Sequence, residues 1–363
     1  MQIVDIICMK RTLFIVCVLM LWQLMVMAQP RFVPETEIQK IGQVEWKHPV
    51  DVKFTISNTG NQPLVLTDVQ PDCDCIVVKW TETPIAPNAT GEINLTYDAT
   101  LLGTFDKSVA VYTNAEPHLS YLHFTGQVLT EIKDYTRTHP FRYGDVRIDT
   151  TEIAFSEVQK GTHPVLRVAV ANEGDKPYEP VLMHLPSYVT QVAEPAILQP
   201  YEHGEILLTL ESGQLDYGLT QAPVYLSRFT GDKIGEDNEL PLSVVVVPDF
   251  RSVTEANKSM SPVISLSDQE LDFSAVLAKK TKAKQDIVIT NTGQGQLAMF
   301  KVQVFNSAVG VDLKKSVLAP GESTKLRITV DKRTIDRERH RLRVLLITND
   351  YQHPKVEINI KAK

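Results

Sequence analysis

The chain has 363 residues, of which 43% are hydrophobic and 22% charged, with a formal net charge of −7. That length supports two or three domains, each with its own core. Ordinary apolar content argues against disorder and against a polytopic membrane protein, and the modest acidic balance carries no global signal for nucleic acid. The charge is uneven, however. Residues 262–363 hold 18 Lys+Arg against 11 Asp+Glu, a balance of +7 that leaves −14 for everything before.

At the N-terminus, Lys10-Arg11 precedes an apolar run from Thr12 to Met27, the order of charged and hydrophobic regions in an export signal. Residues 1–28 are expected to be that signal, cleaved after Ala28. The run is short for a membrane span and nothing like it recurs, so no transmembrane segment is expected after cleavage. Cys8 and Cys17 leave with the signal, and the mature chain keeps Cys73 and Cys75 alone. Two cysteines one residue apart cannot staple a domain, so the cores must fold by burial.

The first domain is expected over residues 29–130. A first strand is read near Ile38 to Val44, then Val52, Phe54 and Ile56 alternate with Lys53, Thr55 and Ser57. The same rhythm returns at Ile93 to Tyr97, at Val109 and Val111, and at Leu122 and Phe124. Short alternating strands between Asn-Thr-Gly and Pro-Asn-Ala-Thr-Gly turns are what an antiparallel sandwich requires. Asn and Gly in these turns are expected to supply positive φ. Residues 131–150 read as a linker, 151–248 as a second and more diverged domain, and 249–261 as a second linker. The second domain closes on the apolar run Val244 to Val247, which reads as a buried strand.

The third domain, 262–363, echoes the first: Gln285 to Gly293 repeats the opening strand and its Asn-Thr-Gly. Spacing tests the echo. Asn58 to Pro87 and Asn291 to Pro320 are each 29 residues, and Asn172 to Pro200 is 28. A period this constant indicates one supersecondary unit copied. The expected fold is all-β, three tandem immunoglobulin-like antiparallel sandwiches after a signal peptide.

The first domain resembles a secreted bacterial family, domain of unknown function 1573, which is itself similar to the hydin-type immunoglobulin-like domains. The residues that carry the resemblance are Asn58-Thr59-Gly60, Pro63-Leu64, Cys73-Asp74-Cys75, Ile85-Ala86-Pro87 with Gly91, Gly103-x-Phe105-x-Lys107, Thr113-Asn114 and Gly126. The family usually has Gly where this chain has Asp74, and the third domain lacks the cysteines. The resemblance implies an exported immunoglobulin-like fold, in the periplasm or at the surface of a bacterium, and no activity.

Cys73-Asp74-Cys75 is the one local constellation with reactive potential. In full extension its α-carbons would lie about 6.5–7 Å apart, at the limit for a relaxed disulfide, so a bond needs a local bend. As thiolates the pair could hold a soft ion such as Cu(I). Asp72 and Asp74 should raise the thiol pKa, which argues against a nucleophile. A structural disulfide, a labile redox pair and a metal site remain open. Two basic stretches stand out in the third domain: Lys279, Lys280, Lys282 and Lys284, and then Arg337, Arg339, Arg341 and Arg343. They are either solvated faces or a patch for an anionic partner. Such a partner would be an acidic envelope or surface protein, a glycan or a lipid headgroup, with nucleic acid not expected. The acidic first two domains also allow head-to-tail self-association.

No His-Glu-x-x-His, Gly-x-Ser-x-Gly or phosphate-binding glycine loop occurs, so no catalytic residue is assigned, no enzyme is expected and no cofactor is implied. The function expected is that of an exported structural or interaction protein of the cell envelope, spacing or displaying surfaces on tandem sandwiches. The alternatives are copper or redox handling through Cys73 and Cys75, and a periplasmic chaperone-like sandwich that completes a client's sheet with an edge strand.

Overall fold

The computed structural model describes residues 29–255, 257–335 and 341–362. The expected signal peptide, together with Arg337 and Arg339, lies outside the described residues. The chain divides into two compact units, Met1–Asp134 and Tyr135–Lys363. It is all-β: the α-helices among the described residues are two single turns, α1 (Ser274–Leu277) and α2 (Lys332–Ile335). No helix among those residues is long and apolar enough to cross a membrane.

The first unit contains β1 (Phe32–Pro34), β2 (Ile38–Glu45), β3 (Val50–Asn58), β4 (Leu66–Pro71), β5 (Ile76–Trp80), β6 (Thr90–Tyr97), β7 (Gly103–Thr113) and β8 (Leu119–Leu129). They form two four-stranded sheets, β1-β3-β6-β5 and β2-β8-β7-β4. The alternation read from sequence places Phe54, Ile56, Ile93 and Leu95 of one sheet in a single buried cluster with Val109, Val111, Leu122 and Phe124 of the other. Tyr97, Phe105 and Phe124 pack as an aromatic trio with centroids 4.7–5.9 Å apart.

In the second unit the chain continues with β9 (Phe141–Tyr143), β10 (Val146–Ile148), β11 (Ile153–Gln159), β12 (Val165–Asn172), β13 (Val181–Met183), β14 (Val189–Glu194), β15 (His203–Leu210), β16 (Gly218–Ser227) and β17 (Glu239–Val247). Their sheets are β14-β15-β12-β10-β9 and β11-β17-β16-β13. Next come β18 (Ile264–Leu266), β19 (Glu270–Asp272), β20 (Lys282–Asn291), β21 (Leu297–Val304), β22 (Val309–Leu313), β23 (Val317–Leu318), β24 (Ser323–Asp331), β25 (Arg343–Thr348) and β26 (Lys355–Lys361). These form β18-β20-β24-β22 and β19-β26-β25-β21-β23. Each sheet pair encloses its own hydrophobic cluster.

The same plan is drawn each time. A strand early in each pair (β2, β11, β19) runs parallel to the closing strand (β8, β17, β26), while β1, β10 and β18 lie antiparallel to β3, β12 and β20. Both stretches expected as linkers belong partly to the fold. β9 and β10 lie within 131–150, and Val146 and Ile148 are buried in the second core. Within 249–261, Phe250 packs against the cluster that joins the second and third sheet pairs. The first was missed because a three-residue strand is too short to show a period of two, and the second because Phe250 lies outside any strand and packs only where two sheet pairs dock.

That junction is a packed seam. Val247 of β17 and Leu345 and Ile347 of β25 are buried together, with Tyr217, Leu219, Val245, Phe250 and Phe305 against them. Burying each such side chain is worth roughly 1.5–3 kcal/mol relative to exposure. The Gln303 amide completes the seam on the β16 backbone: its Nε2 donates to Leu219 O (2.8 Å), and Leu219 N donates to its Oε1 (2.9 Å). Gly218, at φ +103°, lies under this contact, where a Cβ would come within 2.6 Å of Gln303 Oε1. The run Val244 to Val247 is therefore apolar on both faces for two reasons. Val244 and Val246 point into the second core, while Val245 and Val247 meet the third sheet pair.

Candidate functional site: the cysteine turn and the arginine cleft

Cys73 and Cys75 form a disulfide across the single residue Asp74, with α-carbons 5.2 Å apart. The bend that an extended Cys-x-Cys would lack is supplied by a turn: the chain leaves β4 in one sheet, crosses, and enters β5 in the other. Ile76 N donates to Cys73 O (3.4 Å) and Asp98 N donates to Cys75 O (3.0 Å). Asp72 is bound to β7 twice, donating its N–H to Ser108 O (3.1 Å) and accepting Ser108 N–H at Oδ2 (2.9 Å). Both cysteines are half-buried against the first core, and Asp72 and Asp74 are exposed. Bonded to each other, the sulfurs offer no thiolate, so a soft-metal site here requires reduction first. Among the described residues no group of three or more His, Cys, Asp and Glu converges as a metal site.

The described residues of the two basic stretches fall on different sheets. Lys282 and Lys284 lie on β20, in the β18-β20-β24-β22 sheet, and Lys279 and Lys280 lie just before it, after α1. Arg343 lies on β25, in the opposite sheet of the same pair. The lysine side is partly neutralised: Lys282 Nζ lies 3.2 Å from Asp331 Oδ2, and Arg333 contacts the same carboxylate at 2.7 Å. Those two cations, Arg333 foremost through its hydrogen bonds, hold the Asp331 carboxyl well below its ordinary range.

Arg341 and Arg343 instead line a cleft with Gln221 and Phe305, on the seam between the second and third sheet pairs. The Arg343 guanidinium stacks over the Phe305 ring, 4.8 Å from its centroid, and reaches Glu357 at 3.3 Å. Arg341 is exposed and has no ion pair among the described residues. Gln221 and Phe305 escape a reading of the sequence because they become neighbours only when the two sheet pairs dock. The readable signal was indirect: β17 and β25 are apolar on both faces.

No curated protein matches this chain. Among solved structures it is similar to a protein of unknown function from Porphyromonas gingivalis W83, at 25% identity over 61% of this chain and 100% of that one, with a TM-score of 0.44. It is also similar to the VesB protease of Vibrio cholerae (13% identity, 30% of this chain and 33% of that one, TM-score 0.23). The periplasmic chaperone SfaE matches at 13% identity over 60% of this chain and 100% of its own, with a TM-score of 0.22. None of the three says what this chain does. The family matches fall on the sheet pairs at either end: residues 32–128 match the protein family of unknown function DUF1573, and residues 262–363 match the HYDIN/CFA65/VesB-like, Ig-like domain family.

Proposed function

We propose that this chain is an exported, non-enzymatic structural or interaction protein of the bacterial cell envelope, built from three immunoglobulin-like sandwiches. The observation that supports this most is the seam. The second and third sheet pairs are locked by Val247, Leu345, Ile347 and the Gln303–Leu219 hydrogen bonds, so the surfaces they carry keep a fixed relation. Such an arrangement suits a spacer or display module. The Arg341–Arg343 cleft on that seam suits an anionic group of the partner, since guanidinium pairs bidentately with carboxylate and phosphate. The export expectation comes from Lys10-Arg11 and the apolar run that follows.

The test is co-sedimentation of the mature protein with purified cell envelopes, before and after protease treatment of the envelopes. Saturable binding that weakens in Arg341→Glu/Arg343→Glu and falls with added salt is the expected result. Absence of binding to any envelope fraction, together with turnover of a substrate by the purified protein, overturns the reading.

A further inference from the structure

The crossing from one sheet to the other that carries the disulfide is made three times in this chain. In the first sheet pair β4 passes to β5, in the second β13 to β14, and in the third β21 to β22. Each crossing ends in the same turn, where the first residue of the new strand donates its N–H to the carbonyl three residues back. The pairs are Ile76 to Cys73 (3.4 Å), Val189 to Pro186 (2.9 Å) and Val309 to Asn306 (3.0 Å). Cys73 thus stands where the other copies have Pro186 and Asn306, and Cys75 where they have Tyr188 and Ala308. Two of three copies make this turn without a sulfur–sulfur bond.

Nor is the bond the only tie in the first copy. Its crossing is held by the paired hydrogen bonds of Asp72 with Ser108, by Asp98 N to Cys75 O, and by Ile76, which is buried in the core. A ring closed across one residue also removes little freedom from the unfolded chain, because the entropic gain grows with loop length. Neither cysteine is fully buried, although both pack against the first core. Val77, two residues on, is 60% exposed.

We propose that the Cys73–Cys75 disulfide is a thiol–disulfide exchange site whose reaction partner is a dithiol protein. A partner thiolate attacks one sulfur, forms a mixed disulfide and releases the other cysteine as a thiolate, which takes up a proton. The partner's second thiolate then displaces the first cysteine and closes the partner's own disulfide. Two electrons and two protons pass to this chain, and the partner is oxidised. The inference is independent of the envelope role proposed above.

Differential alkylation with mass spectrometry on the folded mature protein tests it, with dithiothreitol and reduced thioredoxin as probes. The expected result is alkylation of both cysteines without denaturant by either probe, with matching oxidation of thioredoxin. Cys73→Ala/Cys75→Ala should keep a cooperative unfolding transition, lowered by no more than about 10 °C. Reduction that proceeds only in denaturant or only at the rate of global unfolding overturns the proposal. So does a double-alanine variant that fails to fold, since the bond would then be a structural staple.

Discussion

Asn58, Asn172 and Asn291 are each buried to 2% exposure or less, and each does the same work. The side-chain amide of Asn58 donates to Gln62 O and Ile85 O, while its Oδ1 accepts Gly60 N–H. Asn172 donates to Lys176 O and Leu198 O and accepts from Gly174; Asn291 donates to Gly295 O and Leu318 O and accepts from Gly293. The Asn-Thr-Gly motif is therefore a hydrogen-bond hub, and the expectation that it supplies positive φ is corrected. Its Gly is needed for close approach instead: a Cβ on Gly60 would sit 2.2 Å from Gln29 O. Asn58→Ala should cost about 3 kcal/mol in denaturant unfolding, because buried carbonyls lose their donor. Positive φ belongs to the residue after each turn proline: Asn88 at 61°, Tyr201 at 59° and Gly321 at 76°. Gly321→Ala should then cost about 1 kcal/mol by the same measurement.

Asp232 shows what one charge does for a hairpin. Its carboxylate, with only 2% of the side chain exposed, accepts from Arg228 Nε (2.8 Å) and Nη2 (2.9 Å) and from the N–H groups of Arg228 and Lys233. The Arg228 hydrogen bonds, foremost among these, hold its pKa well below the ordinary carboxylate range. A depressed carboxylate stabilises the fold above its unfolded value and loses that contribution as pH falls toward its folded value. Acid unfolding should therefore steepen below about pH 4, and Asp232→Asn should remove about 2 kcal/mol at neutral pH while flattening that acid limb.

At the scale of the element, the informative strands are those with an unpaired stretch of edge. β13 pairs with β16 only at Val181–Met183, opposite Tyr225–Ser227, which leaves the Gly218–Ala222 half of β16 without a strand on that side. Gln303 takes the place of a strand there, offering one donor and one acceptor to Leu219 as a neighbouring backbone would. Gln303→Ala should raise amide hydrogen exchange at Leu219 while strands away from the seam keep their protection. The loss in stability should be about 1–2 kcal/mol. Gly218→Val should act in the same direction through its clash with Gln303.

For the whole molecule, the consequence of the seam is cooperativity. The second and third sheet pairs share Val247, Leu345 and Ile347 and form one compact unit. Leu345→Asp places a charge in that cluster. Differential scanning calorimetry on the full chain should then show the transition shared by these two sheet pairs separating into two.

The all-β class, the positions of most longer strands and the repeat were legible in the linear chain, and the structure gives the reason. Alternation is a local property of a strand with one buried face, as at Val52, Phe54 and Ile56. The near-constant distance from hub asparagine to turn proline persists because the asparagine backbone is bonded to the residues just after that proline. Asn58 N donates to Ala89 O and Asn88 N to Asn58 O, and Asn291 and Gly321 repeat the second of these contacts. Tertiary structure alone decided the remainder. Whether Cys73 and Cys75 meet depended on a turn set by a sheet-to-sheet crossing, not on their spacing. That Lys282 and Arg343 lie on different sheets depended on which sheet each strand joins. The Arg341–Arg343 cleft brings the two arginines and Phe305 against Gln221, more than eighty positions away from each of them, by burying the second faces of β17 and β25. Pairings at that range are set by docking of whole sheets, and no local period in the sequence encodes them.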